Sequence, residues 1–114
     1  MNKISFLGCG SWGGALGLVL ANKAMHVTMW HRNPKVVQTL TETRVHYLAS
    51  SLVFPESISF TSSIADAVSG ADTIIIAIPS QSIRKLLQSN KHLFNNTQTI
   101  VNVSKGIEID TLMI

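Results

Sequence analysis

Carboxylates are scarce in this sequence of 114 residues. Six Asp and Glu stand against nine Lys and Arg, which gives a formal net charge of +3, and charged residues make up only 13% of the chain. The positive residues form no run and do not alternate with aromatic residues, so the sequence lacks the basic surface by which proteins bind nucleic acid. The weak positive excess favours a small anionic ligand, such as a metabolite that carries phosphate.

The sequence also has little that points to a disulfide, a metal site or a membrane span. Cys9 is the only cysteine, which excludes an internal disulfide and a cysteine-based zinc site. The histidines lie far apart without metal-ligand spacing, so we expect no metal site. No apolar run reaches the length of a membrane span, and the N-terminus leads directly into a strand pattern. We therefore expect no signal peptide and a cytoplasmic location.

Apolar residues, in contrast, make up 46% of the chain. This proportion excludes a disordered chain. A chain of this length suffices for one small domain with a modest core, but not comfortably for two. Because the charged fraction is low for an isolated domain, we expect part of the surface to pack against something else, for example in a homodimer.

Strand and helix patterns alternate along the chain. Strand patterns occur at residues 3–8, 26–30, 58–60, 72–79 and 99–103. Between them lie an apolar helix pattern (Leu16, Leu18, Val19, Leu20, Ala24), a helix that begins after Asn33 at Pro34 and ends near Thr43, a short helix from Ser63 to Gly70, and a helix over 80–89. Residues 44–56 are irregular. The alternation predicts an α/β fold, a Rossmann-like doubly wound parallel sheet of about five strands with helices on both faces.

Gly8, Gly10 and Gly13 form the pattern G-x-G-x-x-G between the first strand pattern and the first helix pattern. In this context, the pattern is typical of the turn that binds the diphosphate of a dinucleotide. Gly8 permits a tight turn, and Gly10 lets the backbone approach the phosphates. Gly13, with Gly17 one turn further on, lets the helix lie close to the strand. The alternative is a glycine-rich turn without a ligand, but the strand and helix around it favour the nucleotide.

The residues after the second strand bear on the choice of cofactor. NAD-specific domains usually carry Asp or Glu here, which binds the ribose hydroxyls. This chain has His31 and Arg32 instead. Arg32 is suited to pair with a 2′-phosphate, and His31 to donate a hydrogen bond or to stack on adenine. If both only solvate a loop, NAD is equally admissible, so we expect NADP or NAD, with NADPH favoured.

Four stretches resemble bacterial-type glycerol-3-phosphate dehydrogenase. They are GCGSWG, WHRNP, IPSQ and SKGIE, at residues 8–13, 30–34, 78–81 and 104–108. The tryptophan of the family's G-x-G-x-W-G turn is unusual among Rossmann proteins. Residues 44–48 also resemble the family's loop with an aromatic residue beside the cofactor, although the usual proline and glycine are missing there. The resemblance spans nearly the whole chain.

Together with the glycine motif, the resemblance implies a set of cofactor-binding residues: Gly8, Gly10, Ser11, Trp12, Gly13, His31, Arg32, Tyr47, Pro79 and Lys105. Lys105 is implied to contact the substrate as well, because an ammonium group binds phosphate or hydroxyl oxygens without a fixed orientation. Without the resemblance, it would be interpreted as a solvated loop lysine. Cys9 is interpreted as a small filler, since a thiolate would repel the diphosphate.

Members of the family continue into a second, helical domain that supplies the general acid/base and most of the substrate pocket. Residues 1–114 are therefore interpreted as the NAD(P)-binding domain without that helical domain, and we assign no catalytic residue in this chain. The resemblance implies interconversion of sn-glycerol 3-phosphate and dihydroxyacetone phosphate, for glycerophospholipid precursor synthesis, with the chain alone inactive. The alternatives are a non-catalytic NADP(H)-binding fragment and the cofactor domain of a dehydrogenase for hydroxy acids or sugar acids.

Overall fold

The computed structural model describes residues 3–8, 17, 19–21, 26–46, 51–78 and 80–103. Within them, one parallel sheet contains β1 (Lys3–Leu7), β2 (His26–Trp30), β3 (Ile58–Thr61), β4 (Thr73–Ile76) and β5 (Thr99–Asn102). The helices are α1 (Pro34–Thr43), α2 (Ile64–Val68) and α3 (Ser80–Ser89), with a 3-10 helix at Lys91–Leu93. Gly17 and residues 19–21 are also helical. The predicted parallel α/β architecture is confirmed.

The strand order places the sheet's ligand-binding point beside β1. The described strands lie in the order β3-β2-β1-β4-β5, so the chain first proceeds outward from β1 and then crosses to its other side. The carboxyl ends of β1 and β4 flank the point where this direction reverses. Open α/β sheets bind their ligands in the crevice at such a point. We refer to the side formed by the residues that directly follow the strands as the carboxyl edge.

The core has two layers because alternate side chains of each strand face opposite sides of the sheet. One layer contains Ile4, Phe6, Ala21, Val27, Met29, Leu40, Phe54, Ile58 and Ile75. The other contains Leu7, Ala67, Val68, Ala71, Ile74 and Ile76. Burial of each large side chain contributes about 1.5–3 kcal/mol. Since both faces are covered, β1 and β4 read as continuous apolar runs rather than alternating ones.

The boundaries of α1 follow from local capping. Asn33 is the N-cap, and its side-chain oxygen accepts a hydrogen bond from the Lys35 N–H at 2.9 Å. Pro34 occupies the first helical position, where its missing N–H leaves no bond unmade. Arg44 ends the helix in the left-handed region at φ 61°. The predicted start and end of this helix are confirmed.

Arg44 also fastens the irregular segment between α1 and β3. Its guanidinium donates hydrogen bonds to the carbonyls of Phe54 (3.3 Å), Pro55 and Ile58 (2.6 Å). The same group lies over the ring of Phe60, 5.1 Å from its centroid. The segment that follows the helix is therefore bound to the beginning of β3 by one side chain.

Two predictions differ from the structure. The apolar pattern predicted a strand as far as Pro79, but β4 ends at Ile76, level with the last residues of its neighbours β1 and β5. The short helix was predicted to close at Gly70, but α2 ends at Val68. In the first helix pattern, the side chain of Val19 is 54% exposed, while Leu20 packs against the core. The other apolar residues predicted for that helix lie outside the described residues: Leu16, Leu18 and Ala24.

Candidate functional site

Gly8 follows β1 directly and lies against the end of β4. Its φ is +119°, and its N–H donates a hydrogen bond to the Trp30 carbonyl at 3.0 Å. A Cβ at this position would overlap the carbonyl oxygen of Ala77 and lie 2.8 Å from the Ala77 carbonyl carbon. The Cγ2 atom of Ile78 would be only 2.9 Å away. Because backbone atoms of Ala77 cannot move aside as a side chain could, only glycine fits, as the tight turn of the motif requires.

Gly17 brings the helical segment after the glycine motif close to the sheet. A Cβ here would overlap Cε of Met29 and lie 3.6 Å from Cε1 of Phe6. Both side chains are completely buried in the core layer on this face. The predicted role of Gly17 in close packing of the helix on the strands is therefore confirmed.

Hydrogen bonds join the ends of β1, β2 and β3 at the carboxyl edge. In addition to the bond from Gly8 to the Trp30 carbonyl, the His31 N–H donates to the Thr61 carbonyl at 3.0 Å. The indole Nε1–H of Trp30 donates to the Ser62 carbonyl, also at 3.0 Å. The turn after β2 is thereby held between the turns after β1 and β3.

His31 is neutral at neutral pH and has a defined tautomer. Its Nδ1 accepts a hydrogen bond from the Asn33 N–H at 3.0 Å, so the proton of the neutral ring is on Nε2. Burial lowers the pKa of His31 below its ordinary value of 6.5, and the neighbouring Arg32 guanidinium lowers it further. Arg32 is exposed at the same turn. The turn therefore offers one permanent positive charge and one neutral imidazole.

No carboxylate directly follows a strand at the carboxyl edge. No Asp or Glu occurs within the first three residues after any of the strands described above. Asp72 lies at the opposite edge, where its Oδ2 accepts a hydrogen bond from the Lys3 N–H at 2.9 Å. Asp66 is in the first turn of α2, and its N–H donates to the capping Ser63 hydroxyl at 3.2 Å. The predicted strand-entry role of Asp72 is confirmed. At α2 the capping side chain is that of Ser63, and the Ser63 N–H donates to Oγ1 of Thr61 rather than to Asp66. An anion at the strand ends meets no carboxylate among the residues that directly follow them.

The structure describes some of the predicted cofactor residues and brings them together. Gly8, His31 and Arg32 lie at the adjacent ends of β1 and β2. The remaining predicted residues lie outside the described part of the chain: Gly10, Ser11, Trp12, Gly13, Tyr47, Pro79 and Lys105. Sequence reasoning missed the turn after β3, which contacts the turn after β2. The signal for it is the run of hydroxyl residues at 61–63 that directly follows an apolar strand.

Residues 3–114 match the family model described as NAD-dependent glycerol-3-phosphate dehydrogenase N-terminus. The chain belongs to this family. A glycerol-3-phosphate dehydrogenase (NAD(P)+) of Bacillus pumilus is 41% identical over 114 residues, which cover 99% of this chain and 33% of the relative. The corresponding enzyme 2 of Lactobacillus delbrueckii is 40% identical over 113 residues, 99% of this chain and 34% of the relative.

The solved structure of glycerol-3-phosphate dehydrogenase from Coxiella burnetii has the same fold. It matches with a TM-score of 0.83 and 28% identity, over 89% of this chain and 31% of that one. The chain thus spans about one third of the length of the relatives that it matches. Its place in the glycerol-3-phosphate dehydrogenase family agrees with the resemblance of the four sequence stretches.

Neither a metal site nor a membrane-spanning helix occurs in the part of this family member that the structure describes. Over residues 3–8, 17, 19–21, 26–46, 51–78 and 80–103, no three His, Cys, Asp or Glu side chains are grouped so that they could hold a metal ion. In the same ranges, every helix is too short or too polar to cross a membrane.

Replacement of Gly8 by alanine should destabilise the chain more than the same replacement at Gly70. Gly70 also has a positive φ, +72°, but a Cβ there would meet no atom within 4 Å. We expect Gly70→Ala to cost about 1 kcal/mol through backbone strain alone. Gly8→Ala adds the overlap with Ala77 and should cost about 3 kcal/mol or more. Urea unfolding of both variants tests this, and equal costs would contradict the close approach of Gly8 to β4.

Because the native His31 ring takes up a proton at a lower pH than the unfolded ring, His31 should make the stability depend on pH. The unfolding free energy should decrease as the pH falls below about 6.5, until the native ring is also protonated. NMR titration should give a pKa below 6.5 for His31, with the proton of the neutral ring on Nε2. His31→Gln should reduce the loss of stability between about pH 7.5 and about pH 5.5 in urea unfolding. An unchanged loss, or a pKa above 6.5, would contradict the assignment.

Proposed function

We propose that this chain is the cofactor-binding domain of an NAD(P)-dependent glycerol-3-phosphate dehydrogenase. The complete enzyme interconverts sn-glycerol 3-phosphate and dihydroxyacetone phosphate, in the cytoplasm, as a source of glycerophospholipid precursors. The match of residues 3–114 to the family carries this proposal. Gly8 supports it, because it lies at the carboxyl ends of β1 and β4, where the strand order reverses, and a Cβ there would overlap the Ala77 carbonyl.

The residues of this chain bind and orient the cofactor. When bound, a nicotinamide cofactor supplies or accepts the hydride of the reaction. Gly8, Gly10 and Gly13 shape the diphosphate turn, with Ser11 and Trp12 beside it. We also propose that Tyr47 and Pro79 contact the cofactor. Tyr47 is taken from the family resemblance, and Pro79 from its position in the sequence just after β4.

Lys105 is proposed to bind a phosphate or hydroxyl oxygen of the substrate and to contact the nicotinamide side of the cofactor. It follows the last residue of β5, Asn102, by three positions, and residues at the carboxyl ends of parallel strands bind ligands in this fold. The alcohol proton needs a base, and we assign none in this chain. We place that base in the part of the relatives that this chain does not span.

The turn after β2 favours NADPH over NADH. Arg32 is exposed and presents a guanidinium, which pairs with a 2′-phosphate through two parallel hydrogen bonds. The absence of a carboxylate in residues 31–33 removes the group that repels such a phosphate. His31 is neutral in the free chain, so it adds a polar contact rather than a second full charge.

Arg32→Ala should remove the preference for NADPH. Loss of a charge-assisted pair at a partly exposed site should raise the NADPH Kd about tenfold, while the NADH Kd changes little. Calorimetric titration of the chain with both cofactors measures this. Arg84→Ala is the matched control, because it removes the same side chain from an exposed position of α3. Unchanged preference in Arg32→Ala, or equal loss in both variants, would contradict the role of Arg32.

A second candidate is an NADP(H)-binding module without activity of its own. The chain spans about one third of the length of its relatives, and we assign no catalytic base among its residues. The 114-residue chain should bind NADPH without consuming it in the presence of dihydroxyacetone phosphate, as the NADPH absorbance will show. Consumption that depends on this substrate would mean that a residue of this chain acts as the base. Activity on a hydroxy acid or a sugar acid, and none on the phosphate ester, would favour a different dehydrogenase.

A further inference from the structure

Trp30 lies where three turns of the carboxyl edge meet. Its carbonyl accepts the hydrogen bond from Gly8, and its indole N–H donates to the carbonyl of Ser62 at 3.0 Å. Its ring is partly buried and packs against the core layer that contains Leu7 and Ile76. The apolar body of the side chain is thus in the core, and its one polar atom is at the edge.

We propose that Trp30 is a positioning residue for the 2′-phosphate end of the cofactor. Through its indole N–H, it holds the turn after β3 against the turn after β2, and thereby fixes His31 and Arg32. This inference rests on the proposed function, because it assumes that the turn after β2 binds the cofactor.

The position of β3 explains why the indole bond matters. β3 is the outer strand of the described sheet, and within that sheet it pairs only with β2. Beyond the last strand pair, the bonds described between the two turns include His31 N–H to the Thr61 carbonyl and Trp30 Nε1–H to the Ser62 carbonyl. The indole bond is the one of these two that a side-chain substitution can remove, and its loss loosens the turn after β2 close to the residue that carries the exposed guanidinium.

The turn after β3 is itself ordered by a short local bond, so it can act as a support. The N–H of Ser63 donates to Oγ1 of Thr61 at 3.0 Å, and the Ser63 hydroxyl caps α2. Ser62 therefore lies between two residues with fixed partners. A support of this kind reduces the backbone freedom that the turn after β2 must lose when Arg32 pairs with a phosphate.

Trp30→Phe tests the inference, because phenylalanine keeps an aromatic ring in the core but has no N–H. Calorimetric titration of the chain should show an NADPH Kd about fivefold higher, as expected for the loss of one hydrogen bond's net contribution. The NADH Kd should change less than twofold. β-(3-benzothienyl)alanine at position 30 keeps the bicyclic ring without the N–H. The benzothienyl variant gives the same test if the smaller phenylalanine ring of Trp30→Phe prevents folding.

Gln98→Met is the matched control. The Gln98 side chain donates a hydrogen bond to the Val68 carbonyl at 2.9 Å and accepts one from the Asn95 N–H at 3.1 Å, on the side of the sheet opposite to the carboxyl edge. This variant should lose at least as much stability in urea unfolding as Trp30→Phe and still keep the ratio of the two Kd values. A purely structural role of Trp30 would weaken both cofactors equally.

Three distinguishable outcomes would overturn the positioning role of Trp30, and one of them would also overturn the proposed function. If the unaltered chain binds NADPH and both position-30 variants keep its Kd ratio, the positioning role is wrong while the proposed function stands. If Gln98→Met changes the ratio as much as Trp30→Phe does, the effect is general destabilisation and the positioning role is also wrong. If the unaltered chain binds neither cofactor, the proposed function is wrong and this inference with it.

Discussion

The close approach of Gly8 to the end of β4 is the constraint on which the rest of the site depends. At φ +119°, with the Ala77 carbonyl where a Cβ would be, the turn after β1 has space for glycine alone. Gly8 is also held from the side of β2, because its N–H donates a hydrogen bond to the Trp30 carbonyl. Gly8 is therefore fixed between β2 and β4, at the point where the strand order reverses. Backbone amides in such a turn need no side chain to bind a diphosphate.

Charge is distributed so that the carboxyl edge can receive an anion. The carboxylate of Asp72 binds the Lys3 N–H at the opposite edge, and Asp66 belongs to the first turn of α2. Burial and the Arg32 guanidinium both lower the pKa of His31, so the free turn does not place two full positive charges side by side. A phosphate that binds here meets the exposed guanidinium of Arg32 and the neutral ring of His31. Because the ring is neutral, the free chain has no repulsion between two positive charges at this turn.

Features that depend on residues close together in the sequence could be predicted accurately. Features that depend on contacts between residues far apart in the sequence could not. Asn33 and Pro34 gave the start of α1 because capping is decided within one helical turn. Strand pairing limits β4 at Ile76, and no pattern within 72–79 contains that information. The bond from Trp30 to the Ser62 carbonyl joins residues 32 positions apart, so periodicity could not indicate it. Of the predicted site, the need for glycine at position 8 followed from the motif, whereas the support behind the turn after β2 required the fold.

The most direct test of the account is a crystal structure of the chain grown with NADPH. We predict the diphosphate at the amides that follow Gly8, between the carboxyl ends of β1 and β4, with the 2′-phosphate against Arg32. A cofactor bound at another face of the sheet would contradict the account. So would a turn after β1 that is closed over its own amides, or a Gly8 backbone that does not contact the end of β4.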